Sequence, residues 1–152
     1  MMRCWRLVKA RHAAKAWDGE GAYRYGGRWN SRGTRLIYTS QSLSLALLEI
    51  LVHLDQSRVL PELVAFRLDI PQQCIENLSI GSQNSEPLSW PLAVNNPRQI
   101  GDTWIDQTRS LAFKVPSVVI PVESNILINP QHPDFKKIQI RQPEAFRFDQ
   151  RL

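Results

Sequence analysis

The amino-acid sequence predicts an α+β fold, with a mostly antiparallel or mixed sheet around one buried central helix. Short segments rich in β-branched residues recur along the chain and are bounded by Pro, Gly or Asn. One segment, residues 43–54, is apolar at helical spacing over the length of a helix. The ten prolines and seven glycines in 152 residues favour short elements joined by defined turns.

The first half of the chain leads up to that helix. Ahead of it we predict a strand, one or two helical turns, a structured glycine-rich loop and a second strand, over residues 4–8, 10–16, 17–33 and 35–39. Ser42 is a suitable N-cap for the helix. Leu45, Leu48 and Val52 add apolar groups opposite its main apolar stripe. A helix that is apolar on nearly every side is predicted to be buried.

The second half of the chain is predicted to supply most of the sheet. Strands are expected over residues 63–70, 111–115, 118–122, 126–128 and 137–140. Residues 80–95 carry few periodic signals and are predicted to form a loop with a short helical turn. Asn96-Pro97 places proline at a first helical position, so a helix should run from there to about Arg109. Without an internal repeat or linker, residues 1–152 are predicted to form a single domain.

Composition restricts the class of protein. Cys4 and Cys74 are too few for a disulfide framework, which favours a reduced, cytoplasmic setting. No segment is long and apolar enough for a membrane span, and the N-terminus does not resemble a signal peptide. The net charge of +5 permits an anionic partner, although an ordinary soluble protein explains the charge equally well.

Glu49 is the most informative residue of the predicted helix. It is the only acidic residue between Glu20 and Asp55, a stretch that contains four arginines, at positions 24, 28, 32 and 35. Burying a carboxylate in an apolar helix costs solvation free energy, and this cost is offset only when the carboxylate is paired. Glu49 could therefore form a structural ion pair with a loop arginine. Alternatively it could act on a ligand, stabilising positive charge on a ribose, orienting its hydroxyls or activating a nucleophile.

Three further residues are candidates for a nucleotide site. Arg28 follows Gly26-Gly27, where the backbone can approach a ligand closely and a guanidinium can hold phosphate oxygens, unless the glycines simply form a hairpin turn. Tyr38 could stack on a ring or belong to the core. Ser117 could direct its hydroxyl into a pocket or be a turn residue.

The absence of several well-known sequence motifs argues against alternative chemistries. The chain lacks a Gly-x-Ser-x-Gly elbow, a Walker loop and a Gly-x-Gly-x-x-Gly motif. Its three histidines and two cysteines have no recognisable metal-ligand spacing, so no metal site is predicted. The turn over residues 129–133, which contains His132, is interpreted as structural. Trp90 and Trp104 are interpreted as packing residues.

Together these motifs resemble a RES domain, the toxin half of bacterial Xre–RES toxin–antitoxin pairs. The resemblance spans nearly the whole chain, from Trp5-Arg6 to the turn over residues 129–133. The motifs that carry it between these ends are Gly27-Arg28-Trp29-Asn30, Tyr38, Ala46-Leu47-Leu48-Glu49 with Val52-His53-Leu54, and Val115-Pro116-Ser117. Each motif is weak alone, and their order and spacing make the set specific.

The resemblance implies an enzyme that degrades NAD+ by cleaving the nicotinamide–ribose bond, with phosphate or water as acceptor. It implies a fold similar to that of ADP-ribosyltransferase toxins. By position, Arg6 and Arg28 would hold phosphate groups, Tyr38 would contact a ring, Glu49 would be the catalytic acid and Ser117 a pocket serine. Ser124 lies close behind Ser117 and competes with it for this assignment.

The resemblance also implies which molecules bind. NAD+ is the substrate, inorganic phosphate a possible co-substrate, and no cofactor is needed. The expected partner is an Xre-type antitoxin, with no membrane and no direct nucleic-acid partner; a homodimer is one option for the oligomeric state.

Two other functions stay open. One is an ADP-ribosyltransferase that modifies a protein or nucleic acid from the same pocket. The other is a non-catalytic basic module that binds nucleic acid, which predicts clustered Lys and Arg with exposed aromatics. In this chain both kinds of residue are scattered.

Overall fold

The computed structural model describes residues 1–54, 61–78, 95–149 and 151–152. The α-helices are α1 (Glu20–Tyr25), α2 (Leu43–His53) and α3 (Pro97–Asp106), and short 3-10 helices cover Ala10–Lys15, Gln72–Cys74 and Phe135–Lys137. The strands are β1 (Met2–Lys9), β2 (Ile37–Ser40), β3 (Leu63–Ile70), β4 (Ile75–Asn77), β5 (Ala112–Pro116), β6 (Ser124–Ile128), β7 (Gln139–Ile140) and β8 (Glu144–Phe146). The predicted α+β class is confirmed.

The strands form one mixed sheet with a narrow neck. Their order is β4-β5-β6-β2-β1-β3-β7, with β8 also beside β3. β4 and β5 are parallel, and the other pairs are antiparallel. β1 and β3 pair along their whole length, but β1 and β2 share only the register pair Trp5 and Ser40. The two halves of the sheet are therefore joined at one point.

Apolar residues pack on both faces of the sheet. One cluster contains Cys4, Ile37, Leu68 and Ile126, and a second contains Trp29, Trp104, Phe113 and Leu127. Within β2 and β6, Ile37 and Ile126 belong to the first cluster and Leu127 to the second, as alternation along a strand requires. The interpretation of Trp104 as a packing residue is confirmed, whereas Trp90 lies outside the described residues.

Helix α2 covers one face of the sheet beside β1. Its Ala46 packs with Leu7, Leu63 and Ala65. Within α2 only Leu45 and Ala46 are buried, and Val52 is 62% exposed. The helix is thus less buried than its all-round apolar pattern predicts, and its two buried residues come one from the main apolar stripe (Ala46) and one from the opposite side (Leu45).

Several predicted elements have the expected places. β3 has the predicted bounds, and β1, β2, β5, β6, α2 and α3 differ from prediction by a few residues at their ends. The predicted strand over residues 137–140 is shorter, since Phe135–Lys137 is a 3-10 helix and only Gln139–Ile140 is extended. Residues 80–94 of the predicted loop lie outside the described part of the chain.

Other elements correct the sequence-based prediction. Residues 118–122 form bends and a turn instead of a strand. Here the Ser117 hydroxyl accepts hydrogen bonds from the backbone N–H groups of Val119 and Ile120, which folds the chain back toward Glu123. Helix α1 lies within the segment predicted to be loop, and strands β4 and β8 were not predicted. Across the described residues, every helix falls short of the length and apolarity that a membrane span needs.

Candidate active site

A cleft of about 1380 Å³ opens where β1 and β2 diverge. Its lining includes four of the five predicted site residues, namely Arg6, Arg28, Tyr38 and Glu49. These four come from β1, the loop after α1, β2 and α2. The fifth residue, Ser117, is fully buried and lies behind the cleft surface.

Glu49 projects from α2, whose start is fixed by the predicted N-cap. The Ser42 hydroxyl accepts a hydrogen bond from the Leu45 N–H at 3.1 Å, which confirms that cap. Glu49 Oε1 accepts two hydrogen bonds, from Ser117 Oγ and from Asn125 Nδ2, both at 2.8 Å. One carboxylate oxygen is therefore held by two donors from the β5–β6 region.

The structural alternative for Glu49 was an ion pair with a loop arginine. Two of the four loop arginines form their ion pairs elsewhere. Arg24 and Arg35 instead pair with Glu20, at 2.8 and 2.7 Å. The hydrogen bonds to the Glu49 carboxylate come from neutral donors, Ser117 and Asn125.

Ser117 contacts Glu49 directly, and the other candidate serine does not. Besides donating to Glu49, Ser117 Oγ accepts from Val119 N and Ile120 N at 3.0 and 3.1 Å. These acceptor contacts leave the hydroxyl hydrogen to point at the carboxylate. Ser124 begins β6, and its N–H donates to Gln41 Oε1 at 2.8 Å.

Tyr38 is joined to the loop that carries Arg28. Its hydroxyl donates to Asn30 Oδ1 at 2.7 Å and accepts from Trp29 N at 3.1 Å. Burial raises the pKa of the Tyr38 phenol to about 12, so the hydroxyl keeps its proton at neutral pH. The Tyr38 side chain lines the cleft while its hydroxyl holds the loop.

The Arg28 loop is also fixed by its own asparagine and by α3. Buried Asn30 donates through Nδ2 to the carbonyls of Ala22, Ser31 and Thr34, at 2.8, 3.1 and 3.1 Å. From α3, Arg98 Nε donates to the Gly27 carbonyl at 3.0 Å, and Asp102 Oδ1 accepts from Ser31 N at 2.9 Å. Contacts on both sides of Arg28 therefore fix its backbone.

Arg6 lies at the divergence of β1 and β2. Its Nε donates to the Ala16 carbonyl at 2.9 Å, and Nη1 donates to the Tyr38 carbonyl at 2.8 Å. Burial lowers the pKa of the guanidinium to about 10, which still leaves it cationic at neutral pH. Arg6 thus joins the two strands and places a positive charge in the wall of the cleft.

Asn125 lines the cleft and contacts Glu49, but sequence reasoning did not identify it. It lies on β6, opposite Ser40 of β2. The strand predicted from the sequence begins one residue later, at Ile126, and so leaves Asn125 out. A polar residue at the start of an apolar strand was the one signal that could have found it.

The remaining polar motifs have structural roles. In the turn over residues 129–133, Asn129 Oδ1 accepts from Gln131 N and His132 Nδ1 accepts from Asp134 N, both at 3.0 Å. The structural interpretation of that turn is confirmed. Both cysteines are free thiols. Within the described ranges, no group of three or more His, Cys, Asp or Glu side chains could hold a metal ion.

Comparison with known proteins gives a consistent family. Residues 3–149 match the family model described as RES domain. A protein of Yersinia enterocolitica named Toxin Res is 39% identical, and the match covers 99% of both chains. A protein of Photorhabdus laumondii, also named Toxin Res, is 36% identical and covers 90% of this chain and 86% of its own.

Two further similarities extend the comparison. A Sphingobium protein named Prs ADP-ribosylating toxin is 32% identical, and the match covers 97% of this chain and 94% of that protein. Among solved structures, a chain of the M. tuberculosis MbcT–MbcA toxin–antitoxin complex superposes with a TM-score of 0.72 at 18% identity. That match covers 95% of this chain and 83% of the other, and it supports the fold.

Proposed function

The chain belongs to the RES domain family, and on this basis we propose that it is the toxin of a toxin–antitoxin pair that degrades NAD+. The proposed reaction cleaves the bond between nicotinamide and ribose. The observation that carries the proposal is the carboxylate of Glu49 in a cleft that also contains Arg6, Arg28 and Tyr38. In this proposal residues 1–152 act as one catalytic domain in the cytoplasm.

The proposed chemistry needs a negative charge beside the ribose. When the bond between the ribose C1 carbon and the nicotinamide nitrogen breaks, its electron pair leaves with neutral nicotinamide. Positive oxocarbenium charge then develops on the ribose, and the Glu49 carboxylate stabilises it, as carboxylates do in glycosidases. A phosphate oxygen or water attacks the same carbon, and the water reaction releases one proton. The leaving group needs no proton, so one carboxylate can suffice.

The arginines supply binding and orientation. Arg28 stands on a loop that is fixed from both sides, and Arg6 remains cationic at neutral pH. Guanidinium groups bind phosphate oxygens in bidentate geometry. The cleft of about 1380 Å³ exceeds the roughly 300–1,000 Å³ of common small-molecule sites. A dinucleotide is a substrate of suitable size and charge, with phosphates near the arginines and a ribose near Glu49.

Product analysis tests the proposed reaction. The purified protein is incubated with NAD+, with and without inorganic phosphate, and the products are identified by mass spectrometry. ADP-ribose-1″-phosphate in the phosphate sample indicates a phosphorylase, and ADP-ribose in both samples indicates a glycohydrolase. Recovery of intact NAD+ under both conditions, from folded protein, would refute the proposal.

ADP-ribosyl transfer is the second candidate, because the Sphingobium relative is named Prs ADP-ribosylating toxin. The same cleavage would then be followed by attack from a macromolecule in place of phosphate or water. Incubation with NAD+ labelled in the adenosine half distinguishes the two. Label that remains attached to protein or nucleic acid after denaturation favours transfer, and label confined to small molecules favours NAD+ degradation.

A partner that covers the cleft is part of the proposal, and the resemblance indicates an Xre-type antitoxin. Three apolar side chains line the cleft while remaining exposed, namely Tyr25 at 74%, Val52 at 62% and Val118 at 40%. Exposed apolar groups grouped around a site are typical of binding surfaces. Co-expression with the antitoxin gene should restore growth and block NAD+ loss. If the antitoxin binds but leaves NAD+ cleavage unchanged, it does not cover this cleft.

A further inference from the structure

We propose that Asn125 and Ser40 form a positioning pair that orients the carboxylate of Glu49. The inference rests on the proposed function and adds two residues to it. Asn125 Nδ2 donates to Glu49 Oε1 at 2.8 Å, and Ser40 Oγ donates to Asn125 Oδ1 at 3.0 Å. The chain of contacts runs from β2 through β6 to α2.

The sheet places this chain of hydrogen bonds at its neck. Ser40 pairs with Asn125 across β2 and β6, and with Trp5 across β2 and β1. Ser40 is buried and Asn125 is half-buried at the surface of the cleft. Backbone pairing therefore holds both Ser40 and Asn125 in place. Such rigid support is what a positioned carboxylate needs.

The direction of the contacts gives each residue a role. An amide has one acceptor end and one donor end, and either can face a neighbour. Because the Glu49 carboxylate only accepts hydrogen bonds, the amide presents its NH2 group to Glu49, and its Oδ1 accepts from the Ser40 hydroxyl. Ser40 thus acts on the carboxylate through Asn125 and has no hydrogen bond of its own to Glu49.

Glu49 cannot fix its own carboxylate. The last side-chain torsion of glutamate is broad and roughly two-fold, so the carboxylate turns unless other groups hold it. Ser117 and Asn125 both donate to Oε1. Oε2 has no hydrogen bond within the described part of the chain. The clamp on Oε1 leaves Oε2 to face the developing charge of the ribose.

The inference predicts an effect on turnover more than on substrate binding. Loss of one donor lets the carboxylate move, and a shift of about 1 Å at a reacting group can cost on the order of 100-fold in rate. Asn125→Ala should therefore lower kcat about 10- to 100-fold while KM for NAD+ changes little. Asn77→Ala, an exposed asparagine on β4, is the matched control and should retain the wild-type rate.

A double-mutant cycle separates positioning from general loss of structure. Since Ser40 acts through Asn125, Ser40→Ala combined with Asn125→Ala should have the kcat of Asn125→Ala alone. Ser117→Ala combined with Asn125→Ala should fall further, because it removes the second donor to Oε1. Independent, multiplicative losses for Ser40 and Asn125, or a wild-type kcat for Asn125→Ala, would overturn the inference.

A measurement without substrate distinguishes failure of this inference from failure of the proposed function. The side-chain amide protons of Asn125 are identified by NMR from their loss in Asn125→Ala. They should exchange slowly with water in the wild type and much faster in Glu49→Ala and in Ser40→Ala. Fast exchange in the wild type would refute the positioning pair. Slow exchange in a protein that leaves NAD+ intact would support the pair and reject the proposed reaction.

Discussion

Gly27 lies where the arginine loop meets Tyr38, and an alanine there should damage the site. A Cβ at Gly27 would lie 2.5 Å from Tyr38 Oη, 3.0 Å from Tyr38 Cζ and 3.0 Å from Asn30 Oδ1. Gly27 has no positive φ, so the backbone itself would accept alanine. The expected damage is therefore steric and falls on the hydrogen bond between Tyr38 and Asn30.

The size of the effect follows from the contacts that are lost. Moving the Tyr38 hydroxyl breaks its bonds to Asn30 Oδ1 and Trp29 N, and each net hydrogen bond contributes about 0.5–1.5 kcal/mol. Because Asn30 is fully buried, an unsatisfied group adds to this cost. We expect Gly27→Ala to lower the free energy of unfolding by about 2–3 kcal/mol. For a chain of this size that corresponds to roughly 5–10 °C in Tm.

Urea and thermal unfolding measure the stability, and NAD+ consumption measures the site. Gly21→Ala is the matched control: Gly21 is exposed in α1, has no neighbour within 4 Å of an added Cβ, and should be neutral or slightly stabilising. In a Tyr38→Phe background the closest of the three contacts disappears, so Gly27→Ala should cost less there than in the wild type. If Gly27→Ala matches Gly21→Ala in stability and activity, the packing described here is wrong.

Three further predictions concern single side chains. Arg28→Lys keeps the charge but loses the planar guanidinium, so KM for NAD+ should rise about tenfold. The control is Arg32→Lys, because Arg32 is exposed in the same loop. Equal KM values for the two variants would contradict the proposed role of Arg28. The folded pKa of Tyr38 is raised from 10.0 to about 12, so its contribution to stability is complete below pH 10 and is lost as the pH rises through about 12. Urea unfolding should therefore show the wild type losing stability relative to Tyr38→Phe between these pH values, and a constant difference would refute the assignment. Burial raises the pKa of the Cys4 thiol to about 12. Iodoacetamide at pH 8 should therefore modify half-buried Cys74 first and Cys4 only after unfolding. Equal modification rates of the two cysteines, measured by mass spectrometry, would contradict the burial of Cys4 in the core.

Elements whose signal is local could be predicted from the sequence. β3 was predicted with its observed bounds because its residues have strand propensity and Pro71 closes the segment. Helix α2 was predicted from its apolar spacing and its Ser42 cap. Glu49 could be singled out because an isolated carboxylate in such a helix is rare, whatever the tertiary structure.

Elements that depend on side-chain contacts with the backbone were predicted wrongly. Residues 118–122 have the composition of a strand, but the Ser117 hydroxyl takes the N–H groups that a strand would need for pairing. Helix α1 contains a glycine and lies in a glycine-rich segment, which is why a loop was predicted there. It is supported by the Asp18 side chain, which accepts from Glu20 N at 2.9 Å, and by the Glu20–Arg24 ion pair at 2.8 Å.

The wider arrangement of the site depends on contacts between distant parts of the chain. Asn125 lies 76 positions after Glu49, and no local pattern relates them. The register of β2 and β6 brings Ser40 to Asn125, and the neck between β1 and β2 places Arg6 in the cleft wall. These contacts depend on which strands pair and in which register. The sequence indicates the individual strands but not their pairing.

The rate of NAD+ cleavage by Glu49→Gln tests the proposed role of the Glu49 carboxylate. This substitution removes the negative charge and keeps the size of the side chain, so the fold and the binding of NAD+ should persist. We expect kcat to fall by at least about 100-fold, because the charge on the ribose is no longer stabilised. A folded Glu49→Gln protein that cleaves NAD+ at the wild-type rate would show that the reaction does not need the negative charge of Glu49.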